Sequence, residues 1–429
     1  MKLSHLSETL ASSEILKIGN HVKQMIQHGE KVYNYTTGDF DPSVFPIPKQ
    51  LEEEIVQAYR EHLTNYPVAE GNPDLRQAIK RYIKEFQGLH YDENEILVAS
   101  GGRPLIFALF LALCDPGDTI IYPVPCWNNN YYTHLVSGNA IIVETKEENK
   151  FVVQAEEIEP YIEKATLLAL CSPQNPSGTL FTKIELKKIC DLVVRENKRR
   201  EGRKNLYLLF DQLYSQLVHG DTKHYNPVGI NPEIRPYTIT VDAISKSFAA
   251  TGIRVGWCLG PETLIHKMKV LLTHMGAWAP MPEQKGLARY LNQPAAIFAF
   301  MNNFRLQLAQ RLQALYSGIM QLKEEGYPVD AIQPEATVFL SVKIGLIGAI
   351  VKDGKVIQNA EELTGYLLGE AKIALVPFYA FGCPGNEAWF RLSVGTCKVA
   401  EIPTALNGLR CAMDHCELVP ERSTEVYNL

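Results

Sequence analysis

The 429-residue chain is too long for one small core and suits one large domain plus a smaller one. Its 46% apolar and 21% charged residues are an ordinary globular mix, and a net charge of −6 argues against a basic surface for nucleic acid. No apolar run has the length to span a bilayer, and MKLSHLSETLASSEILKIGN lacks the apolar core and cleavage site of a secretory leader, so a cytoplasmic protein with no membrane or nucleic-acid partner is expected.

The first 50 residues, proline-rich near Asp41–Pro48, read as an N-terminal arm that joins a small domain. From about residue 95, short β-branched runs alternate with helical patterns. Strands are expected at Ile96–Ala99, Thr119–Tyr122, Ala140–Val143, Thr166–Cys171, Leu206–Phe210, Thr238–Val241 and Val255–Leu259, with helices such as Ile106–Leu113 and Lys183–Arg195 between them. Continuous apolar strands separated by helices predict an α/β fold of three layers, a mostly parallel seven-stranded sheet covered on both faces. Residues from about 297 to 326 read as one long amphipathic helix. Isolated strands at Thr337–Val342 and Trp389–Val394, with helices at 360–370 and 400–413, predict a smaller α+β domain. The expected division is 1–50 for the arm and part of the small domain, 51–300 for the large domain and 301–429 for the small C-terminal domain.

Two composition features carry little chemistry. The nine cysteines are scattered and odd in number, which suits free thiols in a reducing compartment. Cys411, His415 and Cys416 lie close together without a second ligand pair, so they read as buried helix residues and no metal is expected. The basic run Arg195–Lys204 reads as the solvated end of a helix.

In parallel α/β sheets ligands bind beyond the carboxyl ends of the strands. Behind Ile96–Ala99 comes Ser100-Gly101-Gly102-Arg103-Pro104, small residues opening a helix whose free N–H groups suit a phosphate. Behind Thr166–Cys171, Asn175 precedes Pro176, which holds it extended and aims its amide. Behind Leu206–Phe210 come Asp211 and Tyr214, a carboxylate that needs a cation or N–H donors if buried. Behind Thr238–Val241 comes Ser245-Lys246-Ser247-Phe248-Ala249-Ala250-Thr251-Gly252-Ile253-Arg254. A desolvated Lys246 is a nucleophile, Arg254 suits phosphate oxygens, and Gly252 is expected to permit the sharp return between them. An acid, an amide, an amine and an anion cradle on successive strand ends describe a pocket for a phosphorylated cofactor with a carbonyl and a basic nitrogen. Pyridoxal 5′-phosphate has each part.

These residues resemble the class I/II pyridoxal-phosphate-dependent aminotransferases of the aspartate aminotransferase type, with fold type I. The strongest piece is Ser245-Lys246-x-Phe248…Thr251-Gly252-x-Arg254-x-Gly256-Trp257, joined by Asn175-Pro176-x-Gly178 and Asp211-x-x-Tyr214. Matching segments run from Thr37-Gly38-Asp39-Phe40 to Phe390-Arg391-Leu392-Ser393. The resemblance implies that Lys246 condenses with the cofactor aldehyde and later moves the substrate proton. Asp211 would pair with the pyridine nitrogen, while Tyr214 and Asn175 would hydrogen-bond the ring oxygen. Arg254 and the backbone of Gly101, Gly102 and Arg103 would take the phosphate, Tyr66 would reach the neighbouring subunit's phosphate, and Trp127 would stack on the ring. Arg391, with Gly38, would grip the substrate carboxylate, with Trp127 and Asn175 also lining the substrate position.

Where many relatives have serine or threonine three residues before the lysine, this chain has Ala243, so that phosphate contact is either missing or supplied otherwise, with Ser245 and Ser100 as the candidates. The segment Gly276–Pro282 offers no arginine for a second substrate carboxylate. The implied activity is ping-pong exchange of an amino group between an L-amino acid and a 2-oxo acid through pyridoxamine phosphate, in a homodimer with shared active sites. The alternative is another reaction on the same scaffold, such as a C–S lyase or a decarboxylase.

Overall fold

The computed structural model describes residues 2–418 and divides them into two compact units; Met1 and residues 419–429, within the expected 1–50 and 301–429 segments, lie outside the described residues. The larger unit comprises residues to Ala11, Gly38–Gln310 and Pro334–Phe339. Its sheet has seven strands: β1 (Ile96–Ala99), β2 (Thr119–Val124), β3 (Asn139–Glu144), β4 (Ala165–Cys171), β5 (Tyr207–Asp211), β6 (Thr238–Ala243) and β7 (Gly256–Leu259). Their spatial order is β1-β7-β6-β5-β4-β2-β3. Every neighbouring pair is parallel except the two made by β7, which runs antiparallel to both β1 and β6. The link between β6 and β7 holds only the four-residue helix Ile244–Ser247 and no full crossover helix of the kind that joins parallel neighbours.

Helices follow the strand-to-helix alternation, among them α1 (Pro73–Gln87), α2 (Gly102–Leu113) and α3 (Lys183–Arg199). Asn72 caps α1 through its side chain and Thr182 caps α3, each satisfying an N–H that the first turn leaves open. The strands β1, β4, β5 and β6 are buried almost throughout, as a doubly covered sheet requires. Most strands differ from the sequence reading by one or two residues at an end, and two of these differences touch the site. β5 includes Asp211, and β6 runs on through Asp242 and Ala243 because these pair with Trp257 and Gly256 of β7. An antiparallel partner of this kind carries no signal in β6 itself.

The smaller unit comprises Ser12–Thr37, Arg311–Gln333 and the chain from Leu340. The helix α4 (Pro294–Glu324) gives its residues to Gln310 to the first unit and the rest to this one. The sheet here has four strands, β8 (Val329–Ala331), β9 (Phe339–Ile344), β10 (Val376–Pro377) and β11 (Trp389–Ser393), in the order β10-β11-β9-β8. Its core includes Leu315, Ile319, Ile344, Leu367, Leu392 and Leu409. The Cys411–Cys416 group departs from expectation: Cys411 is exposed, and Cys416 lies in a short strand rather than a buried helix.

Candidate active site

The carboxyl ends of β1, β4, β5 and β6 converge on one region of the larger unit, because their register is parallel and nearly level (Cys171 opposite Asp211, Asp211 opposite Val241). Asp211 ends β5. Its Oδ1 accepts from the N–H of Leu213 at 3.1 Å, a turn that fixes the carboxyl direction. The residue keeps partial exposure, but its carboxyl is set deep, and burial pushes its pKa up to about 6 with only that N–H opposing. The same carboxylate lies near Cys171 and Tyr132, whose pKa values it helps to raise.

Lys246 sits on the short helix Ile244–Ser247 after β6. Its ammonium donates to the carbonyl of Gly38 and lies 5.8 Å from the Tyr214 ring centre and 5.7 Å from that of Phe40. Tyr214 is buried and packs edge-to-face on Phe339 at 5.5 Å. Thr251 Oγ1 donates to Asp39 Oδ1 at 2.6 Å, so the loop that carries the lysine is tied to the Gly38–Phe40 strap. Neither Phe40 nor Asp39 was expected at the lysine; the Gly-Asp-Phe run was the available signal.

Arg254 reaches back over the first helix turn. Its guanidinium donates to Thr251 O at 2.7 Å and Ser100 O at 2.9 Å. Gly101, at φ 97°, lies directly under that guanidinium, where a Cβ would collide with it. The sharp return after Lys246 is made by Ala249 and Arg254, both at positive φ (50° and 61°), and Gly252 is not in the left-handed region. Arg103 places its guanidinium 5.2 Å from the Trp127 ring centre and close enough to Arg254 to lower the latter's pKa, after the larger effect of burial. Neither arginine has an ion pair with a carboxylate among the described residues.

Asn175 and Ser245 are buried nearby, Asn175 in a turn closed by Gly178 N–H to Gln174 O at 3.1 Å. Ala243, in the extended conformation, offers no side-chain cap to the lysine helix. Tyr66 is 83% exposed and meets Trp278 edge-to-face at 5.6 Å. Trp278 Nε1 is buried without a hydrogen-bond partner, and the preceding Ala277 carbonyl accepts from Ser100 N–H at 3.0 Å. Arg391 belongs to the smaller unit, where it is buried, donates to Thr36 O at 2.6 Å and lies 4.9 Å from the Phe381 ring centre.

A family profile described as aminotransferase class I and II matches residues 30–409 of this chain. The chain belongs to that family. It is an aminotransferase dependent on pyridoxal phosphate. Among curated proteins, the aminotransferase is 32% identical over 366 residues to a probable aspartate/prephenate aminotransferase of Rickettsia conorii, covering 84% of this chain and 86% of that one. It is 28% identical over 409 residues to the aspartate aminotransferase of Rhizobium meliloti, covering 95% of each. Among solved structures, the crystal structure of the aspartate aminotransferase from Rhizobium meliloti superposes with a TM-score of 0.88 at 27% identity, over 97% of this chain and all of that one.

The residues present fit the cofactor. Two guanidiniums and the α2 N-terminus, with no carboxylate to neutralise them, suit a phosphate dianion. A buried carboxylate with a single N–H donor suits a cationic ring nitrogen, which would reverse the upward shift of Asp211.

Proposed function

We propose that Lys246, Asp211 and Arg254 are the working core of this aminotransferase, with Tyr214, Asn175, Trp127, Tyr66, Ser245, Arg103 and the Gly101–Gly102 backbone completing the cofactor site. The observation that carries the reading is the pair of arginines without carboxylate partners at the start of α2, in the same unit as the buried Asp211 and the strand-end lysine. When bound, pyridoxal phosphate supplies a carbonyl for the amine and an electron sink for the Cα carbanion.

The chain's own residues then have separable tasks. Lys246 Nζ would hold the cofactor through its aldehyde carbon and, as a free amine, would take the substrate Cα proton and return it. Its nitrogen is held beside Gly38 O and the Tyr214 ring. Asp211 keeps a ring nitrogen protonated. Tyr214 and Asn175 hydrogen-bond the ring oxygen, and Arg254 with the N–H groups of Gly101, Gly102 and Arg103 anchors the phosphate. Arg391 is the candidate grip for the substrate α-carboxylate, since a planar guanidinium pairs with it bidentately.

Tyr66 supports a homodimer: an aromatic 83% exposed and propped by Trp278 is poised to act in a neighbouring subunit's site. No helix among the described residues is long and apolar enough to cross a membrane, and free cysteines throughout suit a cytoplasmic protein. The relatives' names make L-aspartate the first donor to assay. Because Gly276–Pro282 contains Trp278 and no arginine, selectivity confined to dicarboxylic amino acids is not expected, and L-alanine and L-phenylalanine belong in the same screen.

The test is a half-reaction screen with the holoenzyme and single amino acids. Conversion of the cofactor's visible band to its amine form with stoichiometric 2-oxo acid is the expected result. Release of ammonia and pyruvate from a cysteine conjugate without that conversion would overturn the proposed transamination.

A further inference from the structure

Behind the cofactor residues lies a second acid that the reaction does not use. Asp242, the penultimate residue of β6, is 1% exposed and has no ion-pair partner among the described residues. Its Oδ1 accepts from Ala243 N–H at 2.8 Å. Its Oδ2 accepts from three side chains: Gln212 Nε2 at 3.2 Å, Ser215 Oγ at 3.1 Å and Gln87 Nε2 at 3.2 Å. Gln212 follows Asp211, and Ser215 follows Tyr214. Gln212 is itself held at its other end, its Oε1 taking Asn226 Nδ2 at 2.9 Å, and its Nε2 also donates to Gln87 Oε1 at 2.9 Å. From α1, Tyr82 faces Asp242; burial first, and then the carboxylate, keep its hydroxyl protonated.

We propose that Asp242 is a positioning residue of the active site: one carboxylate oxygen fastens both ends of the Asp211–Tyr214 loop to the strand that leads into Lys246. Four donors and no cation hold it. An oxygen accepting three side-chain donors specifies a carboxylate, because an amide can offer oxygen at only one of its two positions. The inference rests on the cofactor roles proposed for Asp211, Tyr214 and Lys246. Its consequence is that the pyridine-nitrogen partner and the ring-oxygen partner move together with the lysine, rather than riding on an independent loop.

The experiment compares Asp242→Asn and Ser215→Ala with wild type in three measurements: cofactor dissociation constant, pH midpoint of the visible band of the bound cofactor, and Tm. In Asp242→Asn an NH2 must face either the three donors or the Ala243 N–H. The cofactor dissociation constant is expected to rise about tenfold or more, with a displaced midpoint. Ser215→Ala removes one donor only and is expected to give about threefold in the same direction. If Asp242→Asn does not fold, Ser215→Ala decides alone. Variants that lose Tm but keep the wild-type dissociation constant and midpoint overturn the inference while leaving the cofactor site standing. A wild-type chain with no visible band that Lys246→Ala removes would instead sink the cofactor roles, and this inference with them.

Discussion

Two clusters of cations in the larger unit have opposite surroundings. The run Arg195–Lys204 is the denser in sequence, yet most of its cations are matched: Arg195 meets Glu159, Lys198 meets Glu233, Arg199 meets Glu163 and Glu196, and Lys204 meets Asp115 and Asp118, while the exposed Arg203 stands alone among the described residues. Arg200 is buried, but Glu196 pairs with it and the carbonyls of Ile162, Glu163 and Ala165 take its remaining N–H groups. Arg103 and Arg254 are only two cations, brought together from positions 151 apart in a chain whose sheet places β1 beside β7. Burial, and then the Arg103 charge, lower the affinity of Arg254 for a proton, and no carboxylate among the described residues pairs with either arginine. Two neighbouring cations without a counterion among the described residues, not charge density along the chain, mark where an outside anion belongs.

The comparison can be broken at several points. The largest effect is expected at Lys246→Ala, which should abolish the visible band and lower turnover by about a thousandfold or more; a variant with wild-type turnover would refute the role. Asp211→Asn keeps the oxygen that accepts Leu213 N–H but loses the charge, and kcat should fall on the order of a hundredfold with the fold retained by circular dichroism. The same variant gives a pH test. Burial raises Asp211 from its ordinary 3.8 to about 6, so its contribution to stability is complete below pH 3.8 and is lost as pH rises through about 6. Melts of the cofactor-free protein between pH 4 and 7 should show wild type losing Tm relative to Asp211→Asn, whose amide does not titrate. Arg254→Lys keeps a charge without the planar fork, and the cofactor dissociation constant should rise about tenfold by titration. Smallest is Lys198→Ala in the matched cluster, where cofactor affinity and turnover should stay at wild-type levels; a change comparable to that of Arg254→Lys would erase the distinction between the clusters.

Much of this was legible along the chain. The strand-end rule pointed to Asn175, Asp211 and Lys246 as candidates because each lies in the segment behind an apolar run, Arg254 stands directly before the next run, and the family resemblance rests on those same motifs. The shape of the lysine loop was not legible. Gly252 has the expected freedom, yet Ala249 and Arg254 take the left-handed conformations, since the antiparallel pairing of Gly256 with Ala243 and the seat of Arg254 on Gly101 dictate the path. Asp242 left one trace, an acid closing the apolar run Thr238–Val241, but a lone acid there reads equally as a cap.

The sequence by itself determined the α/β order, the rough place of each strand and the identity of the polar groups near them, because hydrophobic periodicity and turn residues are local properties of the chain. Tertiary structure alone decided which charges keep partners. Gln87 and Asp242 are 155 residues apart, and Arg254 lies over a glycine beside β1, so their contacts depend on strand order and on β7 running antiparallel. Whether a buried carboxylate is held by four donors, or an arginine is left for a phosphate, is set by desolvation and neighbours that only the folded chain brings within reach.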